Sequence, residues 1–417
     1  VENDGFVIFI MELEMRNKNL CLLILVSVVM VSGLTGCRTR PKTVTEEQLM
    51  YDKPLGPGES ALRKVTDPAL IPDFTMAACN LNNLREAVGN SINYMQKPSS
   101  EQFFPIDDVT HVRAKASLEE FAKLLDDGVT GARLDAAIRD KFDVYTSVGC
   151  DNRGTVLFTG YYTPIFDGSL EESAEYRYPL YSQPEDLEKG PTGEILGQRG
   201  ADGQLSTYPP RAEIASSGML KGQEIVWLKD PFEAYIAHVQ GSAKVRLADD
   251  SITTVGYAAN NGYDYNGISG QMIDDGVITK EQLNLTAMIA YFKAHRDMVD
   301  KYVNLNPRFV FFQQSSGAPH GSLNEPVIDL RSIATDKSIF PRASLTYINT
   351  KLPQMIDGQI STAFYDGFTL DQDTGGAIRA PGRCDVYMGS GDLAGKLAGN
   401  TYQEGRLYYL FLKDGQY

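Results

Sequence analysis

Asp371-Gln372-Asp373-Thr374-Gly375-Gly376-Ala377-Ile378, followed closely by Arg383-Cys384-Asp385-Val386-Tyr387-Met388-Gly389, is the stretch that decides how this chain folds and acts. Asp373 leads into a Gly-Gly step, where the backbone can take a positive φ and approach a ligand closely. Asp385 precedes Val386 and Tyr387, both good strand formers. A carboxylate opening a short buried strand beside a cleft suits a general acid, because partial burial raises its pKa toward neutrality. The same residues also suit a turn cap and a solvated strand end. A third carboxylate, Asp336 in Ala334-Thr335-Asp336-Lys337-Ser338-Ile339-Phe340-Pro341, stands before another turn. The three form a constellation only if the fold gathers them.

Outward from these aspartates the chain reads as β structure. Pro307-Arg308-Phe309-Val310-Phe311-Phe312-Gln313 begins a strand series that continues through 330–333, 345–348, 364–370 and 407–412. Upstream, Thr155-Val156-Leu157-Phe158-Thr159-Gly160-Tyr161-Tyr162-Thr163-Pro164 reads as a strand ending in a turn. Adjacent tyrosines put one ring on each face of a strand, so at least one is expected to be exposed. An exposed ring beside a hydroxyl-bearing Thr suits the apolar face and hydroxyls of a sugar.

Between 168 and 306 the texture changes to short strand-like runs (178–181, 224–228, 235–239, 244–247, 253–257). Polar, Gly-rich loops separate them, notably 189–208. This pattern predicts a small all-β barrel or sheet. A helical pair at 273–276 and 280–303 follows it. Apolar residues at helical spacing predict helices over 81–95 and 118–142. The whole is mainly β with some α, one β domain interrupted by another.

Of 417 residues, 42% are hydrophobic and 22% charged, as in an ordinary globular protein long enough for two domains. A net charge of -15 disfavours nucleic acid, and no basic cluster falls on an expected helix face. Cys79, Cys150 and Cys384 are widely separated and the four histidines stand singly, so neither a metal site nor a cofactor is expected.

Near the N-terminus, residues 1–14 read as an upstream extension. From Met15, Arg16 and Lys18 precede an apolar run, Leu20 to Val31, which ends at Leu34-Thr35-Gly36-Cys37. The run is shorter than the roughly 20 residues of a spanning helix, so residues 1–36 read as a signal peptide. Small residues before Cys37 resemble a bacterial lipobox, which implies cleavage there and lipidation of the thiol. Residues 37–73 then form a polar, Pro- and Gly-bearing tether.

Taken together, the chain resembles the lytic murein transglycosylase A (MltA) family, whose C-terminal part is called the 3D domain after its aspartates. The resemblance rests on the Asp336, Asp373 and Asp385 segments, on Phe158 to Pro164, and on Pro210-Arg211-Ala212-Glu213-Ile214. It also takes in His238-Val239-Gln240-Gly241-Ser242-Ala243 and Asn306 to Phe312. It runs in order from about 75 to 413. Two departures stand out: Pro341-Arg342-Ala343-Ser344 replaces a Pro-x-Gly-Thr turn, and Cys384 stands where an aromatic is common.

The resemblance implies a double-psi β-barrel domain, 74–167 and 307–417, split by an inserted β-barrel-like domain, 168–306. A glycan strand lies in the groove between them. It implies a peptidoglycan lytic exotransglycosylase, a lyase that cleaves the MurNAc-GlcNAc bond with Asp385 as sole acid/base. Asp373 and Asp336 support it, while Tyr161, Tyr162, Thr163, Gln240, Gly241, Ser242, Gly375 and Gly376 hold the glycan. An outer-membrane lipoprotein facing the periplasm of a Gram-negative bacterium is implied, with the membrane, peptidoglycan and cell-wall synthases as partners. Two other readings fit the same residues: an inverting hydrolase in the same cleft, and a non-catalytic, lipid-anchored murein-binding protein.

Overall fold

The computed structural model describes residues 49–417 except Thr192, Glu281 and Ser316. The leader segment and Cys37 lie outside the described residues. Six strands close a barrel, in the neighbour order Tyr402–Leu412, Leu345–Ile356, Gln359–Asp373, Ser332–Ala334, Arg383–Ser390 and Val156–Thr163. The last pairs antiparallel with the first, Tyr402 opposite Thr159, and so removes the open edge. Two further strands, Phe142–Ser147 and Leu62–Lys64, extend the sheet from Tyr402–Leu412. Residues 61–64, assigned from sequence to the tether, therefore belong to the folded body, with Ala61 and Leu62 buried.

The barrel core is aromatic. Tyr409 stacks on Phe340 with ring centres 5.3 Å apart, and Phe74 meets Tyr347 edge-on at 4.8 Å. Helices Leu84–Met95, His111–Asp126 and Gly131–Lys141 accompany the barrel, their buried sides contributing Leu84, Val88, Leu118, Phe121, Leu134 and Ile138 to one cluster with it. His111–Asp126 starts where Thr110 accepts a hydrogen bond from the Arg113 amide at 3.2 Å.

A second sheet has six strands in the order Val310–Ser315, Ile252–Asn260, Ser242–Arg246, Ile165–Ser169, Glu224–Leu228 and Tyr178–Tyr181. An isolated bridge between Ser182 and Phe312 ties its two edges. Helix Pro231–Gln240 packs on it.

Two expectations fail in this region. Residues 235–239, read as a strand, lie inside helix Pro231–Gln240. The deciding signals sit outside that five-residue window. Asp230 accepts from the amides of Phe232 and Glu233 at 2.9 and 3.3 Å, Pro231 opens the helix, and Gly241 closes it at φ 73°. Residues 189–208, read as a polar loop, contribute to a small sheet of Leu187–Lys189, Ile195–Arg199 and Leu205–Ser206.

Inside the barrel a buried ion pair anchors the opening stretch. The Asp371 carboxylate, fully buried, is paired with the Lys337 ammonium and accepts hydrogen bonds from Thr335 Oγ1 at 2.8 Å and Tyr409 OH at 2.7 Å. Burial pulls the Lys337 pKa down, and the neighbouring Asp371 charge opposes that pull. Removing one partner strands the other charge in the core. Lys337→Met is expected to cost about 3–5 kcal/mol in urea unfolding. A loss below about 1 kcal/mol, the scale of an exposed pair, would contradict the buried-pair assignment.

Candidate active site

Strand register sets up the site. Ala334 pairs with Asp373 on one neighbouring strand and with Asp385 on the other, and Asp385 pairs in turn with Thr159. Asp373, Ala334, Asp385 and Thr159 therefore form a row across four adjacent strands, with the small Ala334 between the two carboxylates. A bulge makes this register. Ile333 pairs with Asp371 but the next residue, Ala334, pairs with Asp373, so Gln372 is the extra residue. Its side chain is fully buried and turned to helix Leu84–Met95, donating to Ala87 O at 2.8 Å and Ser91 Oγ at 3.0 Å.

Both carboxylates line a cavity of about 360 Å³ between the barrel and the second sheet. The Asp385 side chain is 16% exposed; it accepts from Thr159 Oγ1 and stands 3.8 Å from Arg383 Nη2. Burial raises its pKa above the usual carboxylate range; Arg383 and the Thr159 hydrogen bond oppose this, and the Asp373 charge adds to it. Asp373 Oδ1 accepts the backbone amides of Ser322 and Thr374, each at 2.8 Å. Burial raises its pKa too, against those two amides, Tyr161 and Lys337. Of the pair, Asp373 has more donors favouring its charged form.

Most of the residues singled out from sequence meet here. Tyr161, Thr163, Gln240, Gly241, Ser242, Gly375 and Gly376 all line the cavity. Several act differently from the expectation. The Gln240 side chain accepts the Tyr162 amide at 3.1 Å, so it clamps the end of helix Pro231–Gln240 to the barrel. Thr163 and Ser242 are buried, and Thr163 Oγ1 lies 2.9 Å from Tyr387 OH, which reaches Ser390 Oγ at 3.2 Å.

Gly375 and Gly376 do not need a positive φ. What Gly376 supplies is room: a Cβ there would stand 3.1 Å from the Tyr265 Cβ and 3.3 Å from Arg308 Nε.

Two of the expected residues are elsewhere. Tyr162 is buried and absent from the cavity wall; it lies against Gly395, where an added Cβ would come within 2.8 Å of its ring. Alternation along the strand puts 159, 161 and 163 on one face and 162 on the other. Asp336 is also buried and off the wall. Its oxygens accept from Ser338 Oγ at 2.6 Å and from the Ala380 amide at 3.0 Å, holding the turn beyond the Gly-Gly step. Neither tyrosine is among the exposed residues; Tyr161 is the partly buried one, its ring centre 5.1 Å from that of Tyr387.

Thr159, Arg383 and Tyr387 went unpredicted, yet each stands two residues from a predicted one on its strand, and the two-residue period points to all three. Arg211, Arg308 and Arg379 line the cavity; the first two stand in segments that carry the family resemblance but were given no role, and Arg379 carried no local signal. His238 packs as a neutral ring: Nδ1 accepts the Val310 amide at 3.0 Å, and burial, then Arg211, pull its pKa well down.

Comparison with known proteins agrees with this architecture. Residues 157–313 match the family "MltA specific insert domain", and residues 331–411 match the "3D domain". The membrane-bound lytic murein transglycosylase A of Vibrio cholerae is 31% identical over 270 residues, which span 64% of this chain and 68% of the relative. The chain belongs to the MltA family. The Escherichia coli K12 member is 30% identical over 272 residues, 64% of this chain and 69% of that protein. Two solved structures share the fold. That of a membrane-bound lytic murein transglycosylase from Agrobacterium tumefaciens aligns with a TM-score of 0.69 at 22% identity, covering 84% of this chain and 98% of its own. The E. coli MltA structure with bound chitohexaose aligns at 0.63 and 24%, covering 87% and 96%. The named relatives are membrane-bound; among the described residues here, no helix is long and apolar enough to cross a membrane.

The raised Asp385 pKa has a consequence for stability. Between the unfolded carboxylate pKa and the higher folded one, the native state binds more protons than the unfolded state, so stability falls as pH rises through that window. Asp385→Asn removes this loss. Its melting temperature relative to wild type is expected to climb as the pH is taken from 4 to 7. A constant difference across that range would contradict the raised pKa.

Proposed function

We propose that this protein is a lytic murein transglycosylase that cleaves the MurNAc-GlcNAc β-1,4 bond of peptidoglycan and leaves a 1,6-anhydro-MurNAc end, with Asp385 as its single acid/base. The observation that carries this reading is the Asp373–Ala334–Asp385 row on the wall of the interdomain cavity, in a chain of this family.

Glycoside hydrolysis ordinarily takes two carboxylates, one of them to activate water or attack the sugar. Here the nucleophile is the C6 hydroxyl of the MurNAc itself, which attacks its own C1. Protonated Asp385 gives its proton to the leaving glycosidic oxygen, and the resulting carboxylate takes the C6 hydroxyl proton. Asp373, which accepts two backbone amides that favour its charged form, faces the positive charge that develops on the ring. Intramolecular attack has favourable proximity already, so the groove mainly has to hold the sugar pucker. Tyr161, Gln240, Gly241, Gly375 and Gly376 form the part of the wall assigned to the glycan, while Tyr162 and Asp336 support it from behind.

The same reading assigns the barrel to a double-psi domain; its expected bounds, 74–167 with 307–417, shift, because Ile165–Ser169 and Val310–Ser315 pair in the second sheet and go with the insert. It takes Cys37 as the lipid anchor of an outer-membrane protein facing the periplasm, which accords with the membrane-bound relatives. Residues 49–73 then belong to the folded body rather than the tether.

The second reading, an inverting hydrolase, has one observation in its favour. The Asp373 and Asp385 backbones stand two strand spacings apart, roughly 9–10 Å, which leaves room for a water.

Mass analysis of muropeptides released from sacculi separates the two, because the anhydro product is one water lighter. Wild type is expected to release anhydromuropeptides, and Asp385→Asn to fold and lose about 10²–10⁴-fold in kcat/KM. Wild-type activity should fall as pH rises through the Asp385 pKa, since the acid must start protonated. Hydrolysed products alone would select the second reading; near wild-type release by Asp385→Asn would remove Asp385 from the chemistry.

A further inference from the structure

The cavity wall is electrically divided. Asp373 and Asp385 stand on the barrel strands, and Arg211, Arg308 and Arg379 also line it. Arginine in a protein interior is ordinarily matched by a carboxylate. Among the described residues, neither Arg211 nor Arg308 has a carboxylate within ion-pair distance, and Arg379 approaches Asp336 only to 3.9 Å. Asp336 is already engaged by Ser338 and Ala380.

The two partly accessible arginines are Arg308 and Arg379. The Arg308 guanidinium donates to Tyr263 O at 2.8 Å, a neutral acceptor, and its stem lies against Gly376. Burial lowers its pKa and the Arg379 charge adds to this, while Tyr257 and Asp264 act the other way. Arg379 itself is 52% exposed. Arg211 is fully committed to the scaffold: it donates to Asn306 O at 3.2 Å and Arg308 O at 2.6 Å, and lies over the Tyr235 and Phe309 rings. It holds the backbone from which Arg308 projects.

Two guanidinium groups lining one cavity, neither in a close ion pair with a carboxylate, suit an anionic ligand. We infer that Arg308 and Arg379 form a subsite for a carboxylate of the peptide carried on the muramyl sugar. This rests on the murein reading above. A glycan of N-acetylglucosamine alone offers no negative charge there. Murein carries a peptide arm with free carboxylates on every second sugar. The arginines would thus distinguish peptide-bearing glycan from bare glycan.

The test measures binding by calorimetry to Asp385→Asn, so that no turnover intervenes. Three probes are compared: a murein disaccharide-peptide, the same molecule with its peptide carboxylates amidated, and uncharged chitohexaose. The free acid is expected to bind about tenfold or more tightly than the amidated form. Adding Arg308→Gln or Arg379→Gln should shrink that preference while moving chitohexaose affinity less than about twofold. Arg379 is exposed, so its variant carries the test if the Arg308 variant fails to fold. Equal affinity for the acid and amide forms overturns the subsite, and so does an equal loss for all three probes. Chitohexaose binding with no charge preference sinks the arginine subsite alone, whereas failure to bind any of the three sinks the murein reading with it.

Discussion

One extra residue in one strand controls the geometry of the site. Without the bulge at Gln372, Ala334 would face Gln372, and the Asp373 side chain would leave the row that contains Asp385. The bulge is held in two directions. Gln372 is hydrogen-bonded outward to Ala87, Ser91 and Ser332, while Asp371, one residue earlier, is locked inward by Lys337, Thr335 and Tyr409. A slip of register would break both sets of buried hydrogen bonds, each costly to leave unmade. Thr335 extends the lock to the loop: its amide donates to Asp373 O at 3.1 Å, and its carbonyl accepts from Thr374 Oγ1 at 2.8 Å. The backbone around Asp373 is therefore rigid before any ligand arrives.

The second sheet is fixed to this platform by contacts that are mostly polar and short. Gln240 holds the Tyr162 amide, Ser242 reaches Thr163, and the Arg308 stem meets Gly376. One contact uses a backbone amide, one joins two hydroxyls, and one depends on a missing side chain. The last explains why glycine at 376 matters although its φ is ordinary. A side chain there would press on Tyr265 and Arg308, which would have to give by a few tenths of an ångström.

The sequence made the fold class legible because strand alternation and turn residues are local signals, and they recur through the C-terminal third. It made Asp373 and Asp385 legible through their neighbours. What it could not show was longer in range. The Tyr235–Val239 run looks like a strand over five residues; the helix is declared by Asp230, Pro231 and Gly241 outside it. Tyr162 could have been set aside, since it alternates with Tyr161, but an adjacent pair of tyrosines masks which face is which. Asp336 shares its strand-turn setting with the other two aspartates, and only tertiary contacts turn its oxygens to Ser338 and Ala380. The Ala343 departure is instructive in the other direction. Alanine replaces the family's glycine, yet the backbone keeps a left-handed φ of 60°, and its amide still meets Asp371 O at 2.9 Å. The turn is imposed by its surroundings, and the residue tolerates it.

The arrangement of charge around the groove follows from one requirement. The acid role proposed for Asp385 asks that its carboxyl group be kept from full solvation and from close cations. Arg383 meets that limit by standing 3.8 Å from Asp385 and donating to Thr159 at 3.2 Å. Its charge is thus shared with a hydroxyl that also serves Asp385, which moderates the acid without neutralising it. Arg308 and Arg379 gather instead around the loop beyond Asp373. A close ion pair of either with Asp385 would favour its charged form and oppose the effect of burial. Separation of the two charge sets lets one cavity hold cationic side chains while burial still raises the Asp385 pKa.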